Sequence, residues 1–319
     1  MTGGAGFIGS TLADRLVDDG VEVVVFDNFS TGRRDFVEGL RDHPSAEVIE
    51  GDVLDALGLR HAMEGCDVVF HLSANADVRY GTERPRRDLE QNTIATSNVL
   101  EAMRETGVRR IVFSSTGSVY GEPNVFPTPE DCPFPIQTSL YGTSKLAGEG
   151  LIQAYCHGFG FTGLTFRFVS VLGERYTHGH VADFYRALRD DPRRLRVLGN
   201  GRQEKSYLYV QDCIEGIKTA MAAHERDEGV AAAYNLGTDE TIVVDDSVAK
   251  ITAHMGVDPE IEYAGGIRGW PGDSPLILLD CSKLRALGWE PKLTIEEALE
   301  RTLDWFDRNS QAFEERELA

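Results

Sequence analysis

The sequence opens with Met1-Thr2-Gly3-Gly4-Ala5-Gly6-Phe7-Ile8-Gly9, and Ser10 to Asp19 follows with the periodicity of an amphipathic helix. Glycines at positions 3, 6 and 9 give a GxxGxxG spacing that leads straight into the predicted helix. Such a loop lets a pyrophosphate lie against the helix N-terminus, where free N–H groups and the helix dipole favour negative charge. The spacing alone is weak evidence, because a glycine-rich turn without a ligand has the same pattern.

The stretch after the helix strengthens this interpretation. Val21 to Phe26 predicts a buried strand, and it ends at Asp27, with Asn28 beside it. A carboxylate at this position is placed to bind the adenosine ribose hydroxyls, and it would repel a 2′-phosphate. The alternative is that Arg33 and Arg34 receive such a phosphate. Because Asp27 stands at the strand end, we predict NAD rather than NADP as the cofactor.

A strand should precede a glycine loop of this kind, and here only Met1 and Thr2 do. The first strand of such a sheet is central, so its loss would expose the neighbouring strands and leave the loop unsupported. We therefore expect the natural chain to begin earlier, with several more apolar residues. The intact mass of the protein from its own host would test this expectation.

Strand-like and helix-like segments alternate through the first half of the chain, which predicts a parallel sheet covered on both faces. We expect an α/β fold: a doubly wound parallel sheet of the Rossmann type, its first strand truncated, with a smaller C-terminal α/β substrate domain. Residues 1–168 form the expected NAD-binding domain, with a returning segment near 205–225, and residues 169–319 form mainly the substrate domain. The expected strands are 47–49, 67–71, 110–114 and 162–168, and the longest expected helices are 89–105 and 143–157.

The composition limits the partners. The chain of 319 residues is 41% hydrophobic and carries a net charge of -20, so nucleic acid and anionic membranes are poor partners for it. It has no apolar run of about 18 residues, the length a membrane span requires. Five scattered cysteines indicate neither a disulfide framework nor a zinc site, which favours the cytoplasm. The acidic, lysine-poor composition is typical of a protein from a high-salt cytoplasm; an unusually acidic mesophilic protein is the alternative.

Tyr141 and Lys145 are four residues apart, which places them on one face of a predicted helix. An ammonium beside a phenol favours the phenolate, so we expect Lys145 to lower the pKa of Tyr141 and make it a base for a sugar hydroxyl. Ser114 and Thr116 lie where a buried strand ends, at the sheet edge where parallel sheets bind ligands. Thr116 is placed to hydrogen-bond a reacting oxygen; a simple turn residue is the alternative.

With these features, the sequence resembles the extended short-chain dehydrogenase/reductases, and most closely the UDP-glucose 4-epimerase group. The resemblance covers essentially the whole chain. It is carried by TGGAGFIG from Thr2, DNFSTG from Asp27, GDVLD from Gly51, HLSANADV from His71, SSTGSVYG from Ser114, YGTSK from Tyr141, RFVSVLG from Arg167, GNGRQEKSYLYVQD from Gly199 and RGWPGDSP from Arg268.

The resemblance implies a nucleotide-sugar 4-epimerase, with UDP-glucose and UDP-galactose as the expected substrates and a transient 4-keto sugar. It makes Tyr141, Lys145 and Thr116 the catalytic residues. The implied cofactor residues are Gly3, Gly6, Phe7, Ile8, Gly9, Asp27, Asn28, Asp52, Val53, Leu72, Ala74, Asn92 and Ser114, together with Tyr141 and Lys145. The implied substrate residues are Ser170, Lys205, Arg268 and Val181. The resemblance also implies a homodimer in which helices 89–105 and 143–157 of two subunits pair.

Several positions depart from the family pattern. Related 4,6-dehydratases have an acidic pair after the catalytic threonine, where this chain has Gly117 and Ser118, so epimerisation is favoured over dehydration. Ser170 replaces a frequent asparagine. At the diphosphate, Lys205 and Trp270 stand where arginines are usual, and Arg268 is the expected substitute.

Ile277 holds the position that gates N-acetylated sugars, and it is neither small nor very large. Three alternatives therefore stay open. They are another 4-keto-sugar enzyme such as a 5,6-dehydratase, an epimerase of uronic acid or N-acetylhexosamine nucleotides, and a non-catalytic regulator that senses the dinucleotide. His178 and His180 resemble half of a metal site, but no further ligand follows at suitable spacing, and we predict a loop near the diphosphate and no metal.

Overall fold

The computed structural model describes residues 1–75, 81, 83–133 and 136–309. Residues 76–78 of the motif that begins at His71 lie outside this range, as do residues 310–319 of the expected substrate domain. No helix in the described part of the chain is both long and apolar enough to cross a bilayer.

The first half of the chain alternates helices and strands as expected. Its helices are α1 (Phe7–Asp18), α2 (Glu38–Arg41), α3 (Ala56–Met63), α4 (Pro85–Asp88), a π-helical segment (Leu89–Ile94), α5 (Ala95–Thr106) and α6 (Leu140–Phe159), with 3-10 turns at Asp35–Val37 and Gly117–Tyr120. Its strands are β1 (Val23–Asp27), β2 (Ala46–Glu50), β3 (Val68–His71), β4 (Arg110–Thr116) and β5 (Thr162–Phe168).

The second half contains shorter elements. Its strands are β6 (Ser170–Leu172), β7 (Arg194–Val197), β8 (Glu204–Lys205), β9 (Tyr207–Tyr209), β10 (Ala231–Leu236), β11 (Ile242–Val243), β12 (Glu260–Tyr263) and β13 (Leu276–Ile277). Its helices are α7 (His180–Asp190), α8 (Val210–Ala223), α9 (Val244–Met255), α10 (Ser282–Arg285) and α11 (Ile295–Arg308). β8 pairs with β11 and β13, β6 with β9, and β7 with β12.

The main sheet is parallel throughout, in the order β2-β1-Thr2-β3-β4-β5-β10. Thr2 makes parallel bridges to Phe26 and His71, so it fills the central place between β1 and β3. The predicted Rossmann-type sheet is confirmed. The sequence predicts that the chain returns to this sheet near residues 205–225. The returning part is longer, because β10 (residues 231–236) also pairs with β5 and completes the sheet.

Apolar clusters cover both faces of the sheet. Successive residues of β4 alternate between them: Val112 joins the cluster that includes α1 and α8, whereas Ile111 and Phe113 join the cluster that includes α3 and α5. A doubly wound sheet requires this alternation, because each strand is buried on both sides. β5 is buried at all seven of its residues.

The glycine loop is held by the strands on either side of it. Thr2 donates to the carbonyl of Phe70, Gly3 donates to that of Phe26, and Leu72 donates to that of Thr2. A small cavity of about 20 Å³ lies beside Met1, lined mainly by apolar side chains of β1, α3 and β3. Thr2 therefore holds the loop between β1 and β3.

Candidate active site

The glycine loop approaches itself too closely for side chains. A Cβ at Gly9 would lie 2.2 Å from the carbonyl oxygen of Gly3, and Gly3 has a φ of +71°. Gly6 is the N-cap of α1 and has no side chain to occupy the N–H groups of the first turn. Phe7 is buried and Ile8 half-buried behind the loop. The loop thus presents backbone donors at a helix N-terminus, which is the arrangement that binds a pyrophosphate.

Asp27 is buried and fixes the loop from the end of β1. Its carboxylate accepts from the N–H groups of Ala5 at 2.9 Å and Phe29 at 2.8 Å. Burial raises the pKa of Asp27, and these two backbone donors oppose the shift. The alternative phosphate receptors are engaged elsewhere, since Arg33 pairs with Asp35 and Arg34 with Glu50. These contacts favour NAD over NADP.

Asn28 and Asp52, which are expected near the adenine of the cofactor, are linked by a hydrogen bond between their side chains. Asn28 donates to the Asp52 carboxylate at 3.0 Å, and Asp52 also accepts from the N–H of Leu54 at 2.8 Å. Val53 differs from the expectation: its side chain is buried in the apolar cluster that includes α3, so only its backbone is available to a ligand.

Asn92, in the π-helical segment, ties the loop after β3 to α6. Its side chain accepts from the N–H of Asn75 at 2.8 Å and donates to the hydroxyl of Ser144 at 2.8 Å. Leu72 and Ala74 in that loop are half-buried. The loop therefore has a fixed position beside the expected cofactor.

Helix α6 brings Tyr141 to the end of β4. Ser139 caps this helix by accepting from the N–H of Gly142 at 3.0 Å. The hydroxyl of Thr116 accepts from the N–H of Ser118 at 3.1 Å, and the Thr116 side chain lies close enough to the Tyr141 phenol to affect its pKa. The expected pair of Thr116 and Tyr141 is thus brought together at the carboxyl edge of the sheet.

Lys145 does not act on Tyr141 as the sequence suggests. Its ammonium donates to the carbonyl of Ser114 at 2.8 Å, and burial lowers the pKa of Lys145 to about 7. The pKa of Tyr141 is raised to about 12, because burial outweighs the opposing effect of the nearby Thr116 side chain, and the charge of Asp88 adds to the increase. The expected lowering of the Tyr141 pKa by Lys145 is therefore wrong for this arrangement.

Lys205 and Arg268 both contact Asp273, a buried residue. Lys205 pairs with Asp273 at 2.7 Å and also donates to the carbonyl of Ser274. Arg268 donates to the backbone carbonyl of Asp273 and pairs with Glu122, just after the 3-10 turn that follows β4. Trp270 lies 5.8 Å from the Lys205 ammonium, measured to its ring centre. Two cations thus converge near the end of β4.

The other two residues predicted to bind the substrate, Ser170 and Val181, differ in the accessibility of their side chains. Ser170 is exposed at the start of β6, which leaves its side chain accessible. Val181 is 1% exposed and lies in the apolar core. Its side chain therefore cannot contact a ligand, and only its N–H, in the first turn of α7, is left to do so.

The histidines that resembled half of a metal site have other partners. His180 hydrogen-bonds the hydroxyl of Tyr207 at 2.6 Å, and burial lowers its pKa to about 3. The ring of His178 stacks on that of Tyr176. Among the described residues, no group of three metal-ligating side chains occurs.

Several residues at the site were not predicted. Asp88 accepts from the Asn75 side chain at 2.8 Å and its charge acts on Tyr141. Asp273 lies within the quoted RGWPGDSP motif but was not proposed as the partner of Lys205. Glu149 and Arg167 form a buried ion pair behind the catalytic strand. For Glu149 the available signal was its position, four residues after Lys145 and on the same helix face.

Comparisons with known proteins agree with this geometry. Residues 1–237 match the NAD dependent epimerase/dehydratase family. A putative UDP-glucose 4-epimerase of Methanocaldococcus jannaschii is 32% identical, over 98% of this chain and 99% of the relative.

Two solved structures are similar over nearly their whole length. A UDP-galactose 4-epimerase has a TM-score of 0.85 at 41% identity, covering 96% of this chain and 97% of that one. The UDP-glucose 4-epimerase of Thermotoga maritima with UDP-glucose has a TM-score of 0.86 at 32% identity, covering 97% of this chain and 98% of that one. On these matches, and with the glycine loop, Asp27 and the Tyr141–Thr116 pair in place, the chain belongs to the NAD dependent epimerase/dehydratase family.

Proposed function

We propose that this protein is an NAD-dependent 4-epimerase of UDP-glucose and UDP-galactose. The observation that carries the proposal is the position of the Tyr141 phenol beside Thr116 at the carboxyl edge of the sheet. Gly117 follows Thr116 directly, so that position has no acid for a dehydration. The site therefore carries a base for one sugar oxygen but no acid at position 117.

The residues around the glycine loop fit NAD. The cramped turn at Gly3 and Gly9 and the buried carboxylate of Asp27 suit a dinucleotide without a 2′-phosphate. Asp52, Asn28 and the loop held by Asn92 line the same edge. NAD bound here would supply the hydride acceptor and donor that oxidation and re-reduction at sugar C4 require.

Tyr141 takes the proton from the 4-hydroxyl and later gives it back. A raised pKa makes its phenolate a stronger base, though a less populated one. Thr116 lies beside the phenol and binds the sugar 4-oxygen. We assign Lys145 to the nicotinamide ribose.

Cations at the second half of the chain hold the diphosphate. Lys205 and Arg268 are the proposed ligands, and Ser170 and the N–H of Val181 contribute polar contacts. Lys205 is a point charge rather than a bidentate fork, so it holds a phosphate with less geometric restraint than arginine would. Residues 1–168 with the returning segment bind NAD in this proposal, and residues from 169 onward mainly bind the sugar nucleotide.

We also propose that two subunits associate through α5 and α6, and that the protein acts in the cytoplasm. The exposed face of α6 carries the small residues Thr143, Ala147, Gly150 and Ala154. Small side chains allow a second helix to approach closely. Free thiols at all five cysteines suit a reducing compartment.

The test is to incubate the purified protein in high salt with UDP-galactose and follow the sugar protons by NMR. Conversion to UDP-glucose with no net change in NADH absorbance is expected. An unsaturated or deoxy-keto product would instead indicate a dehydratase. If only uronic acid or acetamido sugar nucleotides are turned over, one of those is the substrate instead of UDP-galactose. If none is turned over and NAD is bound tightly, the protein is a regulator.

A further inference from the structure

Helix α6 is joined to the end of β4 at three successive turns. Tyr141, Lys145 and Glu149 are spaced by four residues, so they share one face of the helix. They meet three consecutive residues of the strand: Tyr141 meets Thr116, Lys145 meets the carbonyl of Ser114, and Glu149 accepts from the hydroxyl of Ser115. The first two contacts belong to the proposed chemistry. The third has no role in it so far.

Glu149 is 1% exposed and is held by more than Ser115. The guanidinium of Arg167, on β5, pairs with it at 2.7 Å and 3.1 Å. The same guanidinium donates to the hydroxyl of Tyr120 at 2.7 Å and to the carbonyl of Glu130 at 3.0 Å. Glu149 is therefore fixed from two strands, and its carboxylate cannot shift without breaking several hydrogen bonds.

A buried ion pair is weak evidence for stability, because the desolvation of both charges offsets their attraction. Its position indicates another use here. Glu149 stands one turn from Lys145, and it raises the pKa of Lys145 against the effect of burial. Because water is excluded from this region, the charge of Glu149 acts on the ammonium with little screening.

Among the residues that the structure describes, few other charges lie near Lys145. Arg167 faces the region from β5 and pairs with Glu149, so its positive charge offsets part of the effect of that carboxylate on Lys145. His71 on β3 is buried, with its pKa lowered to about 3, and is therefore neutral at working pH. Asp88 on α4 acts on Tyr141. Ser114, on β4, offers only its carbonyl to the ammonium.

We propose that Glu149, fixed by Arg167 and Ser115, is a positioning residue that keeps Lys145 charged and aligned with the Tyr141–Thr116 pair. The inference rests on the proposed 4-epimerase function. Glu149 does not touch the reacting atoms. It acts through Lys145 and through the end of β4, so its loss should affect turnover more than substrate binding.

The test compares Glu149→Gln with the wild-type holoenzyme. Glutamine keeps the size of the side chain and an acceptor for Ser115 but removes the charge. We expect kcat to fall at least about tenfold, with KM for UDP-galactose changed by less than about twofold, as for an interaction made mainly in the transition state. The alkaline limb of the kcat profile should move to lower pH, and Glu149→Asp should restore part of the rate.

Two controls separate this role from a structural one. Glu101→Gln removes a carboxylate that also contacts α6, through Tyr155, but far from Lys145, and it should leave the pH profile unchanged. Circular dichroism and thermal unfolding show whether Glu149→Gln is folded. A folded variant with wild-type kcat and an unmoved pH profile would overturn the proposal.

A substrate-free measurement covers the case in which the proposed function is itself wrong. The chain has only six lysines, so ¹³C-labelled lysine side chains can be titrated by NMR, with Lys145 assigned by its loss in Lys145→Met. We expect Lys145 to titrate at lower pH in Glu149→Gln than in the wild type. An identical titration in both proteins would refute the role of Glu149, whatever the wild-type protein turns over.

Discussion

Ile277 stands beside Gly117: a Cβ added to Gly117 would lie 3.3 Å from the Cγ2 atom of Ile277. Gly117 directly follows Thr116, the proposed catalytic residue, and Ile277 is on β13, where it pairs with Lys205 of β8. Ile277 thus takes up part of the space that a side chain at position 117 would need. The position that lacks the dehydratase acid and the proposed gate for the sugar substituent are therefore neighbours.

Ile277→Ala should widen the pocket. We expect the ratio of kcat/KM for UDP-N-acetylglucosamine to that for UDP-glucose to rise by about tenfold or more, since a few methylene groups in a pocket discriminate by about 1–3 kcal/mol. The measurement is steady-state kinetics with both substrates. Ile261→Ala on β12, away from the site, is the control. An unchanged ratio would mean that Ile277 does not contact the sugar.

Tyr141→Phe should lower kcat by about 10²- to 10⁴-fold, the usual contribution of a general base. NAD should stay bound, because Asp27 and the glycine loop are untouched. Tyr155→Phe, farther along α6, should keep the wild-type rate because its hydroxyl hydrogen-bonds Glu101 instead. Turnover by NMR and bound dinucleotide by absorbance check both points. Wild-type turnover in Tyr141→Phe would rule it out as the base.

His71 should make the protein sensitive to acid. Burial lowers its pKa in the folded chain to about 3 from the ordinary 6.5, so the unfolded chain binds more protons between these values. The free energy of unfolding must then fall as the pH drops from 6.5 toward 3, by about 1.4 kcal/mol per unit of pKa difference at full effect. Urea unfolding of His71→Gln should show a shallower decline than the wild type.

The exposed His61 on α3 provides the matched control for this comparison. His61→Gln should keep the wild-type dependence on pH. Only the slope is compared, because the loss of the His71 hydrogen bonds to Thr2 and Thr96 lowers stability at every pH. Equal slopes in the wild type and His71→Gln would contradict the argument.

Salt should stabilise this protein. The chain has a net charge of -20, so its carboxylates repel one another, and salt screens that repulsion. Surface ion pairs such as Arg15–Glu215 act in the opposite direction, since salt weakens them. We expect the Tm and the activity to rise between dilute buffer and about 2 M KCl, where the Debye length falls below about 3 Å. Full activity in dilute buffer, or a Tm that falls with salt, would contradict the hypothesis of a high-salt origin.

The proposed dimer can be tested on α6. Ala147→Arg places a long charged side chain on its exposed face and should prevent the association. Light scattering after gel filtration should give a mass of twice 35.2 kDa for the wild type and of 35.2 kDa for this variant. Val21→Glu, on an exposed residue between α1 and β1, is the control and should stay dimeric. A wild-type protein of 35.2 kDa would refute the dimer.

Local patterns in the sequence were enough to predict the sheet, its cofactor edge and the main chemical groups. The continuous apolar strands required cover on both faces, and the GxxGxxG spacing with Asp27 required a backbone-lined phosphate site. Periodicity also placed Tyr141 and Lys145 on one helix face. These are local properties, because a turn, a strand or a helix face depends on residues close together in the chain.

The partners of these groups, in contrast, depend on how distant segments of the chain pack together. Lys145 meets the carbonyl of Ser114, Glu149 meets Arg167 from a different strand, and Val181 is buried in the core. The raised pKa of Tyr141 follows from burial, which depends on segments far apart in sequence. Hydrogen bonds and desolvation depend on distance in space, and only the packing of α6 against β4 and β5 sets those distances.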